Sequence, residues 1–349
     1  MRSLAFCPSL QQAQPDLSRR KNQFTTRATL QPSRQNKHLP IVILPGFGNA
    51  SRDYDAPFGN ADASLAAALA RRGFENVRVV PVERKDWIKV GKMIFTPEYW
   101  TGNLNSTDPG YTWYLERVKE TVEAAQKTAA STSPSETTDL EGNKVVLVGH
   151  SAGGWLARAY LGQPQFKSNY SLDTGEGSIN DNGKVDGGHN EAIGAIITLG
   201  TPQSPPPPRS KVKDMTGGAL KWVNETWPGA YYASAGVKYI TVGSRAVIGN
   251  RKAGRQTLPG YSFGSYRQVL GRGHNVEGDA VVPLKSALLK GAKHVVLDDV
   301  LHSMSRLGTF EEDAGDGVKW YGSESIVDRW LDPLLDESSN TMYQEEITV

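Results

Sequence analysis

The sequence predicts an α/β fold, in which a mostly parallel central sheet carries helices on both faces. Three observations lead there. From Leu39 onward, short β-branched apolar runs alternate with stretches of helical periodicity. One run, Val145-Val146-Leu147-Val148, is apolar at every position, as a strand covered on both sides requires. The chain also has one cysteine, Cys7, so neither an intramolecular disulfide nor a cysteine-held metal cluster organises it.

The 349 residues suffice for one large domain, and 38% hydrophobic with 22% charged residues is the balance of a soluble globular chain. No apolar run approaches the roughly 18–20 residues that span a bilayer; Ala192 to Gly200 has the length of a buried strand. A peripheral contact with a membrane surface stays open on these grounds.

Residues 1–37 stand apart. They contain seven basic residues and one acid, Asp16, are rich in Ser, Thr and Gln, and lack a secretory apolar stretch. Such a leader reads as a disordered transit peptide, with Ser/Thr content and Thr26-Arg27-Ala28 favouring a plastid over a mitochondrion. Without it the chain has 32 basic and 36 acidic residues, so the basic balance belongs to the leader and a nucleic-acid partner is not expected.

The folded domain is expected over 38–336. Its first strand is Ile41-Val42-Ile43-Leu44, stopped by Pro45 and Gly46. A helix over about 62–72 places Leu65 and Leu69 on one face and ends at Gly73. The strand Val77 to Val80 follows, then a helix over 112–129 with Tyr114, Val118, Val122 and Ala125 in register, then a Ser/Thr/Pro-rich loop at 130–142. After the strand at 145–148 comes a helix through Trp155, Leu156 and Tyr160.

Residues 170–191 are a polar insertion. Its Asn180-Asp181-Asn182-Gly183 resembles a calcium loop, but His189 stands where the bidentate glutamate belongs, so no metal is expected. Strands at 195–199, 239–242 and 295–297 complete the sheet, with a lid-like segment over 203–236 and a Gly-rich excursion reaching 278. A helix near 323–335 presents Ile326, Trp330 and Leu334, and 337–349 reads as an acidic disordered tail.

The chemistry centres on Gly149-His150-Ser151-Ala152-Gly153, which follows a buried strand and opens a helix. A sharp strand-to-helix turn lifts the serine hydroxyl above the sheet, and glycines on either side avoid a Cβ that would strike the neighbouring strand or helix. The helix start places the Ala152 N–H where an oxyanion would form. Pro45-Gly46-Phe47-Gly48, directly after the first strand, offers the Phe47 N–H as the second donor.

A serine nucleophile needs a histidine base and a carboxylate that holds its tautomer. In the chain order Ser, acid, His, both lie beyond Ser151. His189 sits in the polar insertion, His274 precedes any suitable acid, and His294 falls just before the last strand. His302 follows that strand by a short loop and is the expected base. Asp279, on the turn Gly278 to Pro283 ahead of a helix at about 284–290, is the expected acid; Asp298 and Asp299 lie too close to His302 along the chain. Phe58, Trp87, Trp222, Trp227 and Tyr231 are candidates for an acyl site, although aromatic residues at such spacings more often serve core or lid packing.

With Val-Gly-His-Ser-Ala-Gly-Gly-Trp at 148–155, Leu-Gly-Thr-Pro at 199–202 and Gly-Asp-Ala-Val-Val-Pro at 278–283 followed by His302, the chain resembles the lipase and esterase branch of the α/β-hydrolase superfamily. Within it the chain is similar to plant and algal plastid-type hydrolases and, more distantly, to inositol deacylases of glycosylphosphatidylinositol anchors. The resemblance implies the α/β-hydrolase fold and cleavage of a hydrophobic acyl ester through an acyl-enzyme, with no cofactor. It departs from the usual pattern at Gln203, where relatives carry histidine, at Pro205 to Pro208, and in the 170–191 insertion. A thioesterase or acyltransferase would use the same residues, and a non-catalytic binding protein would keep the fold alone.

Overall fold

The computed structural model describes residues 39–132, 144–166, 178–179, 185–186, 188–304 and 318–336. The expected transit peptide, the calcium-like run at 180–183 and the acidic tail lie outside the described residues. Six strands form one sheet: β1 Ile41–Leu44, β2 Val77–Val79, β3 Val145–His150, β4 Ile193–Leu199, β5 Lys238–Ser244 and β6 Lys293–Leu297. Their spatial order is β6-β5-β4-β3-β1-β2, and every pairing is parallel.

That order has one reversal. The chain steps outward from β1 to β2, then crosses back to lay β3 on the other side of β1, in register Ile43↔Val148 and Leu44↔Gly149. The loops leaving β1 and β3 at their carboxyl ends therefore diverge and open a crevice between them. These loops carry Gly46-Phe47 and Ser151.

Period-two side-chain alternation sends successive residues of each strand to opposite layers. Val42, Leu44, Val145 and Leu147 join Tyr114, Leu115, Val118 and Val122 of helix α2, Thr112–Thr132, and Trp155, Leu156 and Tyr160 of α3, Ala152–Gly162. Ile41, Ile43, Val146 and Val148 meet Leu65 and Leu69 of helix α1, Leu65–Arg71, on the other side. Burying each such Leu, Ile or Val contributes about 1.5–3 kcal/mol, which is why the central strands are apolar without interruption.

Three boundaries differ from the sequence expectation. Helix α2 continues to Thr132, into the stretch expected as loop. The helix after Asp279 is one turn, Leu284–Ala287. Within the expected lid, helix α4, Ala219–Thr226, buries Ala219, Leu220 and Val223 in the core, whereas Arg209, Lys211, Lys213 and Met215 before it are exposed. In the polar insertion the described residues form one antiparallel pair, Ser178–Ile179 with Val185–Asp186.

The Gly-rich excursion holds a helix that periodicity does not reveal, α5, Leu258–Leu270. Pro259, Gly260 and Gly264 lower its intrinsic propensity, yet its ends carry the signals: the Thr257 hydroxyl accepts from Gly260 N and Gly271 closes it at φ 74°. The last helix, α6, Glu324–Leu335, seats Ile326, Trp330 and Leu334 in the core as expected. Buried Arg72 joins it to α1 by donating to Asp328 and Glu324.

Candidate active site

Ser151 occupies the turn between β3 and α3 at φ 51°, ψ −125°, a positive-φ conformation that strains a residue bearing a Cβ. The surroundings hold it there. Ser151 N donates to Leu199 O at 2.9 Å, and the Thr201 hydroxyl donates to Ser151 O at 2.8 Å. A Cβ on Gly149 would collide with the Gly154 backbone, and one on Gly153 with the Leu44 carbonyl, as the sequence predicts for a tight elbow. The serine is half-buried.

The loop after β1 lies directly against the elbow. A Cβ on Gly46 would come within 2.8 Å of Ser151 Cβ. Phe47 is the next residue, and among the described residues its N–H donates to no acceptor. Ala152 opens α3, so its N–H has no carbonyl one turn earlier in the helix to bond. These two backbone donors follow directly on Gly46 and Ser151, the pair of residues that the two loops bring together.

Asp279 is buried and receives four hydrogen bonds. Oδ1 accepts from Val281 N at 3.0 Å and Val282 N at 2.7 Å. Oδ2 pairs with His302 Nδ1 at 2.8 Å and accepts from the Tyr321 hydroxyl at 2.9 Å. The backbones join as well, His302 N donating to Asp279 O at 2.8 Å. Because a carboxylate oxygen only accepts, His302 Nδ1 carries the proton and Nε2 presents its lone pair.

His302 is placed beside the elbow through His150. The two imidazoles stand 4.7 Å apart between ring centres, and His150 Nε2 bonds the His302 carbonyl oxygen at 2.8 Å. His150 Nδ1 meets the Tyr54 hydroxyl at 2.7 Å, and that oxygen accepts from Gly46 N at 3.0 Å and from Asn49 Nδ2 at 2.9 Å. Burial, with the neighbouring His302, pushes the His150 pKa well below its ordinary value near 6.5, so this imidazole is neutral at pH 7. Burial also pushes the Tyr54 and Tyr321 hydroxyls up, keeping both protonated.

Of the five residues expected from sequence, the structure joins Asp279 to His302, packs His302 on His150, the residue before Ser151 and Ala152, and brings Gly46, the residue before Phe47, against Ser151. The excluded histidines lie elsewhere. His294 is inside β6, and its Nε2 bonds Leu289 O; His274 is exposed beyond α5; His189 packs on Tyr232. Asp298 and Asp299 pair with Arg245 and Lys319 at the surface. Among the described residues, no group of three or more His, Cys, Asp or Glu could hold a metal ion.

The profile of the alpha/beta hydrolase family matches residues 41–303, from the first residue of β1 to the residue after His302. The chain belongs to the alpha/beta hydrolase family. No curated protein matches this alpha/beta hydrolase. Its similar solved structures include a lipase of Bacillus licheniformis, at 16% identity and TM-score 0.44 over 87% of this chain and 94% of that one. A metagenomic carboxyl esterase is 11% identical, TM-score 0.43, over 88% and 77% of the two chains. A phospholipase of Legionella pneumophila is 10% identical, TM-score 0.40, over 84% and 63%.

Tyr54, His150, Tyr321 and Gly200 are site residues that sequence reasoning did not single out. A Cβ on Gly200, at φ 54°, would lie 2.6 Å from Asp279 Oδ2 and 2.9 Å from His302 Nδ1. Its signal was the Leu-Gly-Thr-Pro motif. Tyr54 and Tyr321 carry no local signal, because long-range packing alone brings them to the site. Gln203, the departure from the family pattern, is buried and bonds Thr198 Oγ1 and the guanidinium of Arg158, which burial lowers to about 10.

Proposed function

We propose that the chain hydrolyses a carboxylic ester of a lipid or other hydrophobic acyl substrate, with Ser151, His302 and Asp279 as catalytic triad. The observation that carries this reading is the Asp279 to His302 Nδ1 hydrogen bond, in a loop held beside a strained serine. Ser151 Oγ attacks the acyl carbon while His302 Nε2 takes its proton, and the Phe47 and Ala152 N–H groups stabilise the oxyanion. Collapse expels the alcohol, which receives that proton, and leaves an acyl-enzyme. Water then attacks with His302 again as base, releasing the acid and restoring Ser151. None of these steps calls on a metal or an organic cofactor.

The surface beside the oxyanion loop supports a hydrophobic substrate and a peripheral contact with lipid. Phe47 is exposed and packs 5.1 Å from Trp87. Along the helical stretch Arg84–Phe95, Trp87, Val90 and Met93 face the core, while Ile88, Lys92 and Phe95 face out. Exposed Trp100 follows, with Lys213 Nζ 3.8 Å over its ring. Apolar groups interleaved with lysines are the composition of an interfacial surface. Of the aromatic candidates for an acyl site, Trp87 and Trp227 are buried, Trp222 half-buried, and Phe58 and Tyr231 exposed. The plastid placement, with mitochondrion as alternative, rests on the leader composition, and the plastid-type and inositol-deacylase likeness on the three motifs quoted above.

The test is turnover of p-nitrophenyl esters from acetate to palmitate by wild type and Ser151→Ala. Serine-dependent rates rising with chain length support a lipid substrate; a short-chain optimum points to a small-ester hydrolase. Transfer products with added acceptors identify an acyltransferase. Equal rates in both folded proteins at every length leave the binding-protein reading.

A further inference from the structure

Beyond the catalytic crevice, the excursion between β5 and Asp279 builds a second concave surface. It is a cleft of about 640 Å³, within the roughly 300–1,000 Å³ of small-ligand sites, lined by Arg251, Arg255, Arg267, Arg272, His274 and Phe263 among others. No carboxylate lines it. The four arginines are exposed, and among the described residues none makes an ion pair or a side-chain hydrogen bond. Residues 245–278 hold six basic residues and one acid, Glu277, although the chain beyond residue 37 is acidic overall.

The cleft has a defined frame. Arg267 rises from α5, Arg251 and Arg255 from the loop before it, and Arg272 from the loop after it. Glycines press both loops onto the helix: a Cβ on Gly260 would collide with Gly254 O, and one on Gly273 with Phe263 O. The strand pair Val247–Ile248 with Glu277–Gly278 closes the base of the excursion. Four guanidiniums in a shared concavity repel one another. A multivalent anion relieves that repulsion, and guanidinium forks match phosphate oxygens two at a time.

We propose that this cleft binds a phosphate-bearing anion carrying at least two negative charges. The source is a soluble phosphate ester or a phosphorylated lipid headgroup; both present the same chemistry to the arginines. The site does not depend on the hydrolase reading, since it shares no side chain with the triad. Its helix does contact the acid's loop: Tyr266 Oη accepts from Ala280 N and Ser265 Oγ donates to Val281 O, one and two residues after Asp279.

The experiment is titration calorimetry of the full chain with inorganic pyrophosphate, beside flotation with phosphatidylcholine vesicles containing or lacking phosphatidylinositol 4-phosphate. Arg267→Gln/Arg272→Gln and Arg251→Gln/Arg255→Gln are compared with a leader variant, Arg19→Gln/Arg20→Gln/Lys21→Gln, with circular dichroism checking each fold. Saturable pyrophosphate binding that weakens about tenfold or more in each cleft variant, and not in the leader variant, is expected. Phosphoinositide-dependent flotation that pyrophosphate competes away identifies the headgroup source; pyrophosphate binding without flotation identifies the soluble one. Cleft variants that bind both probes like wild type, or wild type that binds neither, overturn the site. Serine-dependent ester turnover, measured in the same variants, separates failure of this site from failure of the hydrolase reading.

Discussion

His150 and His302 are joined by their unlike parts: the ring of one bonds the main-chain carbonyl of the other at 2.8 Å. A carbonyl oxygen only accepts, so His150 Nε2 carries the proton and Nδ1 is an acceptor for the Tyr54 hydroxyl. Tyr54 in turn accepts from Gly46 N. One continuous run of hydrogen bonds therefore ties the loop after β1 to the loop that carries His302 without passing through Ser151.

Removing the Tyr54 hydroxyl interrupts that run at its centre. Tyr54→Phe is expected to lower stability by about 1–3 kcal/mol, the cost of unpairing buried polar groups. The kcat for a soluble short ester is expected to fall about tenfold with KM little changed, because the loops hold the transition state more than the substrate. Urea unfolding and steady-state kinetics on one preparation check both.

Asp279→Asn keeps the carboxylate's shape and removes its charge. The variant is expected to fold and to lose roughly 10³–10⁴-fold in kcat, since an amide nitrogen facing His302 reverses the tautomer the base requires. A loss below tenfold, with folding confirmed by circular dichroism, would move the acid elsewhere.

Gly200→Ala tests the crowding around the same pair. Its Cβ enters the space between Asp279 Oδ2 and His302 Nδ1 at a backbone angle that disfavours any side chain. A loss of about 10²-fold or more in kcat is expected, from misplacement of the base by a fraction of an ångström to an ångström. A near-normal rate shows that the two loops give way.

Acid stability follows from His150. Its folded pKa is depressed, mainly by burial, so the unfolded chain takes up the proton first. Stability from this group is complete above about pH 6.5 and is lost as pH falls toward the folded value, by up to about 1.4 kcal/mol per pH unit in that window. Asp86, held down chiefly by Arg117, titrates below the ordinary carboxylate range and adds nothing between pH 5 and 7. Urea midpoints at pH 7 and pH 5 are expected to differ, and the difference to shrink in His150→Gln.

The strands, the sharp turn at Ser151 and the choice of Asp279 and His302 as candidate acid and base were legible in the sequence because each follows from a simple pattern. An uninterrupted apolar run reads as a covered strand, glycines around a serine read as a strained turn, and chain order limits which acid and histidine follow. Helix α5 was not legible, since Pro259, Gly260 and Gly264 argue against a helix that burial of Tyr266 stabilises from a distance. The same holds for α4, whose Ala219, Leu220 and Val223 make a core face only once α3 lies beside it.

By itself the sequence determined the α/β class, the nucleophile turn and the candidates for acid and base, all consequences of side-chain periodicity and backbone sterics within a few residues. Only the tertiary structure decided that β3 crosses back beside β1 and opens the crevice there, that Tyr321 supports Asp279, and that Tyr54 and His150 link the loops. It also gathered Arg251, Arg255, Arg267 and Arg272 into one cleft. Hydrogen bonds and like charges act across space rather than along the chain, so partners 42, 96 or 152 residues apart leave no local pattern to read.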